Sequence, residues 1–204
     1  MDSQIIMKIL IESENVFFKK GLESLIEKSV LEIGINDFAF ITDDDSTAKS
    51  EIINIILRDS SISINLFKNK KNINTPYPNQ EKSTLHIPFI CKNKKMSDIK
   101  RIIEKIIFIA SMDGNDFIND DFYRVTGLKK HEQLSLTETK IMLLIGRGNN
   151  LNNISKQINR SERTINVHFR NASRKMKLSK KTDFYNYAKF IATCRRNERK
   201  TLCL

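Results

Sequence analysis

The stretch that most constrains this chain runs from Leu134 to Leu178, LSLTETKIMLLIGRGNNLNNISKQINRSERTINVHFRNASRKMKL. Ser135-Leu136-Thr137-Glu138 has the spacing of a capping box, in which a serine oxygen and a glutamate carboxylate satisfy the free N–H groups of a helix start. Leu136, Ile141, Leu144 and Ile145 give that helix an apolar face, and Gly146-Arg147-Gly148 followed by Asn149-Asn150 ends it with residues that tolerate left-handed backbone. A second helix is predicted from Leu151 to Ile158, turning Leu151, Ile154, Ser155 and Ile158 inward. Asn159-Arg160 then makes a tight turn and Ser161 caps a third helix over Glu162 to Lys177. In it Ile165, Phe169, Ala172 and Met176 recur at spacings of 4, 3 and 4, one stripe of a helix. Helices this short bury their stripes only against one another, so the segment reads as a helix-turn-helix.

Packing that stripe inward turns Arg163, Asn166, Val167, Arg170, Asn171 and Arg174 toward solvent. Arginine can fork onto guanine O6 and N7, asparagine onto adenine N6 and N7, and an exposed valine can touch a thymine methyl group. Ser161 and Thr164, at the helix start, offer hydroxyl and N–H donors to a phosphate, and Lys156 on the preceding helix offers a charge. A solvated charged face explains any one of these residues, and explains Lys177 best. It explains the set poorly, because three base-reading residue types share one face of the helix that follows a turn. His168 has no second ligand at metal spacing and reads as packed or phosphate-touching.

Charge is distributed to match. Residues 129–204 hold 18 Lys+Arg and 5 Asp+Glu, whereas residues 1–128 hold 17 and 19, so the formal net charge of +11 belongs to the C-terminal part. Segregated positive charge is the footprint of a domain that displaces counterions from a phosphate backbone. The shift also suggests two domains, at 1–112 and 133–204, joined by a linker over 113–132 with a short helix near Asp120–Thr126. No apolar run is long enough to cross a bilayer, and the N-terminal stretch has charge inside any signal-like core, which points to a cytoplasmic, nucleoid-associated protein without membrane contact. Cys91, Cys194 and Cys203 are odd in number, widely spaced and without a CxxC pair, so reduced thiols are expected, with neither a disulfide framework nor a zinc site. No catalytic residue, metal or cofactor is expected, since the three histidines and three cysteines form no nucleophile-base pattern.

Leu134-Ser135, Glu138, Ile141-Met142, Gly148, Ile154-Ser155, Ser161, Thr164-Ile165, Val167-His168 and Lys175-Met176 carry a resemblance, without a gap, to the LuxR-type (FixJ-type) helix-turn-helix. They fall where that family has its LT, RE, VL, G, IA, S, TV, VH and KL. Thr137 stands where arginine is usual and Asn153 where glutamate is usual. In nitrate-type regulators of the family, base contacts come from the positions of Asn166, Val167 and Arg170, and the resemblance implies the same here. The LSxTE start is most similar to capsule-type accessory activators, which work beside a partner regulator.

The N-terminal part alternates strand and helix patterns. Strands are expected at Ile5–Ile11, Ile35–Ile41, Ser61–Phe67 and Leu85–Cys91, and helices at Val16–Glu27, Thr47–Leu57 and Ser97–Ser111. Such alternation implies an α/β domain with a parallel sheet covered on both sides. The opening MKILIESENVFFKKGLESLI resembles a response-regulator receiver, shortened by about one βα unit. A working receiver needs carboxylates at strand ends to hold Mg²⁺ beside an acceptor aspartate. Here the acidic pair after the first strand is reduced to Ser13-Glu14, and no aspartate lies between Ser60 and Ser97, which leaves Asn65, Leu66 or Phe67 at the acceptor's place. A pseudo-receiver without phosphotransfer is therefore expected. Asp43-Asp44-Asp45 reads as capping acids rather than a metal site, and Lys68–Ser83 as a flexible loop. The isoleucines from Ile99 to Ile109 exceed what one packed side requires and suggest either extra core or a dimer seam.

These features together predict a transcriptional regulator that binds double-stranded DNA as a homodimer or with a related LuxR-type regulator. The alternative is a protein-only modulator that sequesters a related regulator through the N-terminal domain. A lactone receptor is disfavoured by the lack of tryptophan for an aromatic ligand cage.

Overall fold

The computed structural model describes residues 6–34, 37–41, 53–67, 82–92, 94–115 and 121–204. Asp43-Asp44-Asp45, residues 47–52 of the predicted second helix and the loop over 68–81 lie outside them. Strand β1 (Met7–Glu12) is followed by helix α1 (Val16–Ile33), strands β2 (Phe38–Ile41), β3 (Ile55–Arg58), β4 (Ser61–Phe67) and β5 (Lys82–Pro88), and helix α2 (Met96–Ser111). The rest is α3 (Asp121–Thr126), α4 (Leu136–Gly146), α5 (Leu151–Ile158), α6 (Glu162–Lys175), α7 (Lys181–Thr193) and a two-residue strand β6 (Lys200–Thr201).

Among the described residues six strands make one sheet in the order β2-β1-β3-β4-β5-β6. It is mixed rather than parallel. β1 runs parallel to β2 and β3, but β3, β4 and β5 are successive antiparallel neighbours, and β6 lies parallel to β5. The expected helix across Ile55–Leu57 is strand β3, and a turn at Asp59-Ser60 sends the chain straight back as β4. Registry explains why: Leu57, Ile62 and Ile87 align across three strands, as do Ile55, Ile64 and Leu85. These rows form one apolar face, while Ser63, His86, Asn65 and Thr84 alternate onto the other, the two-faced pattern of antiparallel strands.

The apolar face packs with Leu22, Ile26 and Val30 of α1 and with Ile99, Ile103, Ile106, Ile107 and Ile109 of α2 into one core. The α2 isoleucines are thus interior, with Ile102 half-buried, and the dimer-seam reading of that face gives way to extra core. A second core joins Ile141, Met142, Ile145, Ile154, Ile165, Phe169, Phe184, Tyr187 and Ile191 from α4 to α7. Gly146 permits the closest approach in it: an added Cβ there would stand 2.1 Å from the Ala188 carbonyl oxygen.

The tail Arg195-Arg196-Asn197-Glu198-Arg199-Lys200, whose charge alone suggests a frayed segment that could add phosphate contacts, is ordered instead. Arg199 donates to the carbonyls of Cys194 and Ala192, at 2.8 and 3.0 Å, closing the end of α7. β6 then covers the edge of β5, and Leu202 N–H donates to His86 C=O at 2.8 Å. Leu202 is buried in the first core and Cys203 in the second. Backbone hydrogen bonding along an open sheet edge, a strong and unsatisfied surface, is what orders this segment.

Candidate nucleic-acid interface

The interface is built on three capped helices. Ser135 Oγ accepts from Glu138 N–H and the Glu138 carboxylate accepts from Ser135 N–H, so the expected capping box is present. Asn150 caps α5 through Asn153 N–H at 2.8 Å. Asn159 then takes a left-handed backbone (φ 54) and turns the chain toward α6. Ser161 Oγ accepts from Thr164 N–H at 3.1 Å and lies 2.9 Å from Thr164 Oγ1. Both hydroxyls assigned to phosphate are thus held together at the start of the third helix.

On α6 the stripe Ile165, Phe169 and Ala172 is buried, with Met176 just beyond. Phe169 meets Phe184 of α7 at a ring-centroid distance of 4.6 Å. The opposite side carries Arg163, Val167, Arg170 and Arg174, all exposed, flanked by half-buried Thr164, Asn166 and Asn171. Ser161 and Lys156 are exposed as well, so the predicted residues share one surface around the α5–α6 turn. Some predicted packing is looser. Leu136 is 92% exposed, so it does not belong to the α4 core face, and on α5 only Ile154 is fully buried, with Leu151, Ser155 and Ile158 half-buried.

One ordering device was not foreseen. The Glu138 carboxylate, already in the capping box, pairs with Lys175 Nζ at 2.8 Å, and the same ammonium donates to the Gln133 carbonyl at 2.8 Å. Burial opposes ionisation of Glu138, but the bonds from Lys175 and Ser135 outweigh it and hold the carboxyl below its ordinary range. The end of α6 is thereby fastened to the start of α4, and Lys175 is withdrawn from any role toward phosphate. Burial pushes the Cys91 thiol up to about 11 and the Cys203 thiol up to about 12, so neither is a thiolate near neutrality.

The carboxyl ends of β1 and β3 also change the sequence reading. The strand beside β1 that occupies the acceptor's place is β3, not β4, and it leads directly into Asp59. Asp59 accepts a hydrogen bond from Ser13 Oγ at 2.6 Å, so an aspartate does stand there. The residues around it do not suit Mg²⁺. Glu12 is engaged by Arg58 at 2.6 Å, and among the described residues no group of three histidine, cysteine or acidic side chains can hold a metal.

Residues 132–188 match the luxR family of bacterial regulatory proteins, through its GerE domain. No curated protein matches the sequence. Among solved structures, one of two RcsB dimers bound to two parallel DNAs is 13% identical, covering 93% of this chain and 100% of that chain, with a TM-score of 0.35. RcsB of Salmonella typhimurium is 14% identical over 91% of this chain and 98% of that one, with a TM-score of 0.32. RcsB from Salmonella enterica serovar Typhimurium bound to promoter rprA, in the presence of phosphomimetic BeF3-, is 14% identical over 90% and 99%, with a TM-score of 0.29. Overlaps this loose carry no weight for function. The family match does: the C-terminal part contains a LuxR-type helix-turn-helix domain of a DNA-binding regulator, which is not an enzyme class. Among the described residues no helix is long and apolar enough to cross a membrane.

Proposed function

We propose that the chain is a sequence-specific transcriptional regulator, acting in the bacterial cytoplasm as a homodimer or beside a related LuxR-type regulator, with α6 in the major groove. The observation that carries this reading is the partition of α6: its apolar stripe is sealed inside the second core while Arg163, Val167, Arg170 and Arg174 stand exposed on the other side. Asn166, Val167 and Arg170 read base edges. Ser161, Thr164, Lys156, Arg163, Asn171 and Arg174 position the helix on phosphates. The sheet region, 1–112 completed by residues 200–202, and the helical remainder of 133–204 divide partner contact from DNA contact. Control is independent of phosphorylation, because Asp59 is hydrogen-bonded to Ser13 and its neighbour Glu12 is paired with Arg58 rather than free to hold a metal ion.

Selection from a random DNA pool provides the target. On that target Arg170→Ala and Asn166→Ala each weaken binding by roughly 1–3 kcal/mol, with little change on random DNA. Equal losses on both DNAs make these residues phosphate contacts. About five or more phosphate contacts make affinity fall log-linearly with salt; absence of binding at any salt, with or without a partner, favours the sequestering modulator instead. Acetyl phosphate leaves DNA affinity unchanged in the parent and in Asp59→Ala. A phosphoryl group on Asp59 that shifts affinity refutes the phosphorylation-independent reading.

A further inference from the structure

Helix α2 and the turn after α6 face each other across a cavity of about 450 Å³. Lys94, Arg101 and Lys105 line it from the sheet side and Lys177 from the other, with Ile102 as an apolar wall. Its one acidic side chain, Asp98, is engaged by Arg101 at 3.5 Å, and Leu204, the last residue of the sequence, lines it as well. Among the described residues Lys94, Lys105 and Lys177 enter no ion pair. A neighbouring cavity of about 260 Å³ shares Lys94 and Lys177 and adds Lys92 and Lys180. Positive charge is therefore concentrated at the seam between the two regions, away from the exposed side of α6.

Physical cost accompanies this concentration. Burial, and then the nearby Lys177, hold the Lys94 ammonium below its ordinary range. Burial does the same to Lys105, followed by Lys177 and Arg101. Lys177 itself sits in left-handed backbone, φ 53, a conformation that favours glycine. Lys94 and Lys105 are half-buried, and the exposed Lys177 stands across from them.

We propose that this cavity binds a small, multiply charged phosphoanion of nucleotide size, held jointly by Lys94, Lys105 and Lys177. The volume falls in the range of small-ligand sites. Three ammonium groups, each a compact charge with three donors, suit phosphate oxygens and need more than one negative charge for balance. Because the charges come from both regions, occupancy favours the arrangement in which α2 and the end of α6 face each other.

Titration calorimetry of the full chain with inorganic tripolyphosphate tests the assignment. The expected result is one molecule bound per chain, with affinity lowered at least tenfold in Lys94→Gln/Lys105→Gln and in Lys177→Gly, and kept within twofold in Arg163→Ala/Arg170→Ala. Lys177→Gly removes a charge and relieves left-handed backbone, so a thermal midpoint at or above the parent's shows that its loss of binding is not unfolding. No binding to the parent, or equal binding to Lys94→Gln/Lys105→Gln, overturns the proposal. So does a loss confined to Arg163→Ala/Arg170→Ala, which places the anion on the α6 surface. Duplex DNA is titrated in parallel: if Lys94→Gln/Lys105→Gln weakens it as much as tripolyphosphate, the lysines serve DNA backbone phosphate and the small-ligand assignment fails.

Discussion

The helical region and the sheet region treat polar side chains in opposite ways. In α4 to α7 charge lies outside and apolar stripes inside, with Glu138 as the buried exception, neutralised by Lys175. The sheet buries polar groups in rows: Ser63, Asn65, Thr84 and His86 all have little exposure. Their partners are internal, except that His86 Nε2 is buried without a hydrogen-bond partner, its ring edge-on to Phe190. Thr84 Oγ1 donates to Asn65 Oδ1 at 2.8 Å, Ser63 Oγ lies 2.9 Å from His86 Nδ1, and Arg58 reaches both Ser63 and the face of Phe190 on α7. Together with the contacts of Tyr187 and Phe190 and the pairing of β6, these bonds commit this face of the sheet to the seam with α7 and the tail. The outer side of α6 carries no such commitment and is left for a partner outside the chain.

The largest expected effect tests whether the two regions are mechanically joined. Phe184 is fully buried against Phe169, and Phe184→Ala should cost about 3–5 kcal/mol, read from the denaturant midpoint. Tyr187 belongs to the same core and donates to His86 C=O at 3.1 Å, while β6 pairs with β5. Loss of amide protection should therefore extend into β5. Protection lost in α4 to α7 alone would show that the seam transmits nothing.

Acid separates the regions next. Burial, then the Arg58 guanidinium, push His86 down to about 4 from an ordinary value of 6.5, against a smaller opposing pull from Glu198. The folded chain thus holds the neutral ring, whereas the unfolded chain takes up a proton as pH falls below about 6.5. Stability is complete above that value and declines as pH falls toward 4, by up to about 3 kcal/mol. The decline should be absent in His86→Gln. An unchanged slope in that variant would assign the acid sensitivity to another group.

What was legible in the sequence follows the range of the interaction. The α6 stripe, the capping serines Ser135 and Ser161 and the bounds of β4 are local patterns and were readable residue by residue. The direction of β4 was readable too, since Ser61-Ile62-Ser63-Ile64-Asn65-Leu66 alternates strictly, the mark of a two-faced antiparallel strand. Strand-helix alternation along the rest of the segment masks it, and Ile55–Leu57 is a run too short to tell helix from strand. Reading that run as helix also hides Asp59. β6 has no periodicity at all and exists because β5 has an open edge. Glu138 and Lys175 lie 37 positions apart, and nothing local announces their pair.

The Glu138–Lys175 pair offers a sharper test of the buried exception. Glu138→Ala removes the N3 partner of the cap and leaves an ammonium whose side chain is 18% exposed, so a loss of about 2–3 kcal/mol is expected, below the range for a fully buried charge. Lys175→Met, which keeps the stem and removes the charge, should cost less because Glu138 retains the Ser135 N–H. If the two variants cost the same, the pair rather than the cap carries the effect.

The smallest effect belongs to the free surface. Ser161→Ala removes the acceptor for Thr164 N–H and should cost about 1 kcal/mol of stability, the usual value of a helix N-cap. Its effect on DNA should be larger in proportion, since the Ser161–Thr164 hydroxyl pair is then broken where α6 is proposed to meet phosphate. Ser161→Asp separates these two consequences. Aspartate caps as well as serine, so stability should recover, but its charge faces the phosphate backbone and binding should fall on cognate and random DNA alike. Binding that recovers together with stability would mean that Ser161 acts only through the fold of α6, and would remove it from the phosphate-contacting set.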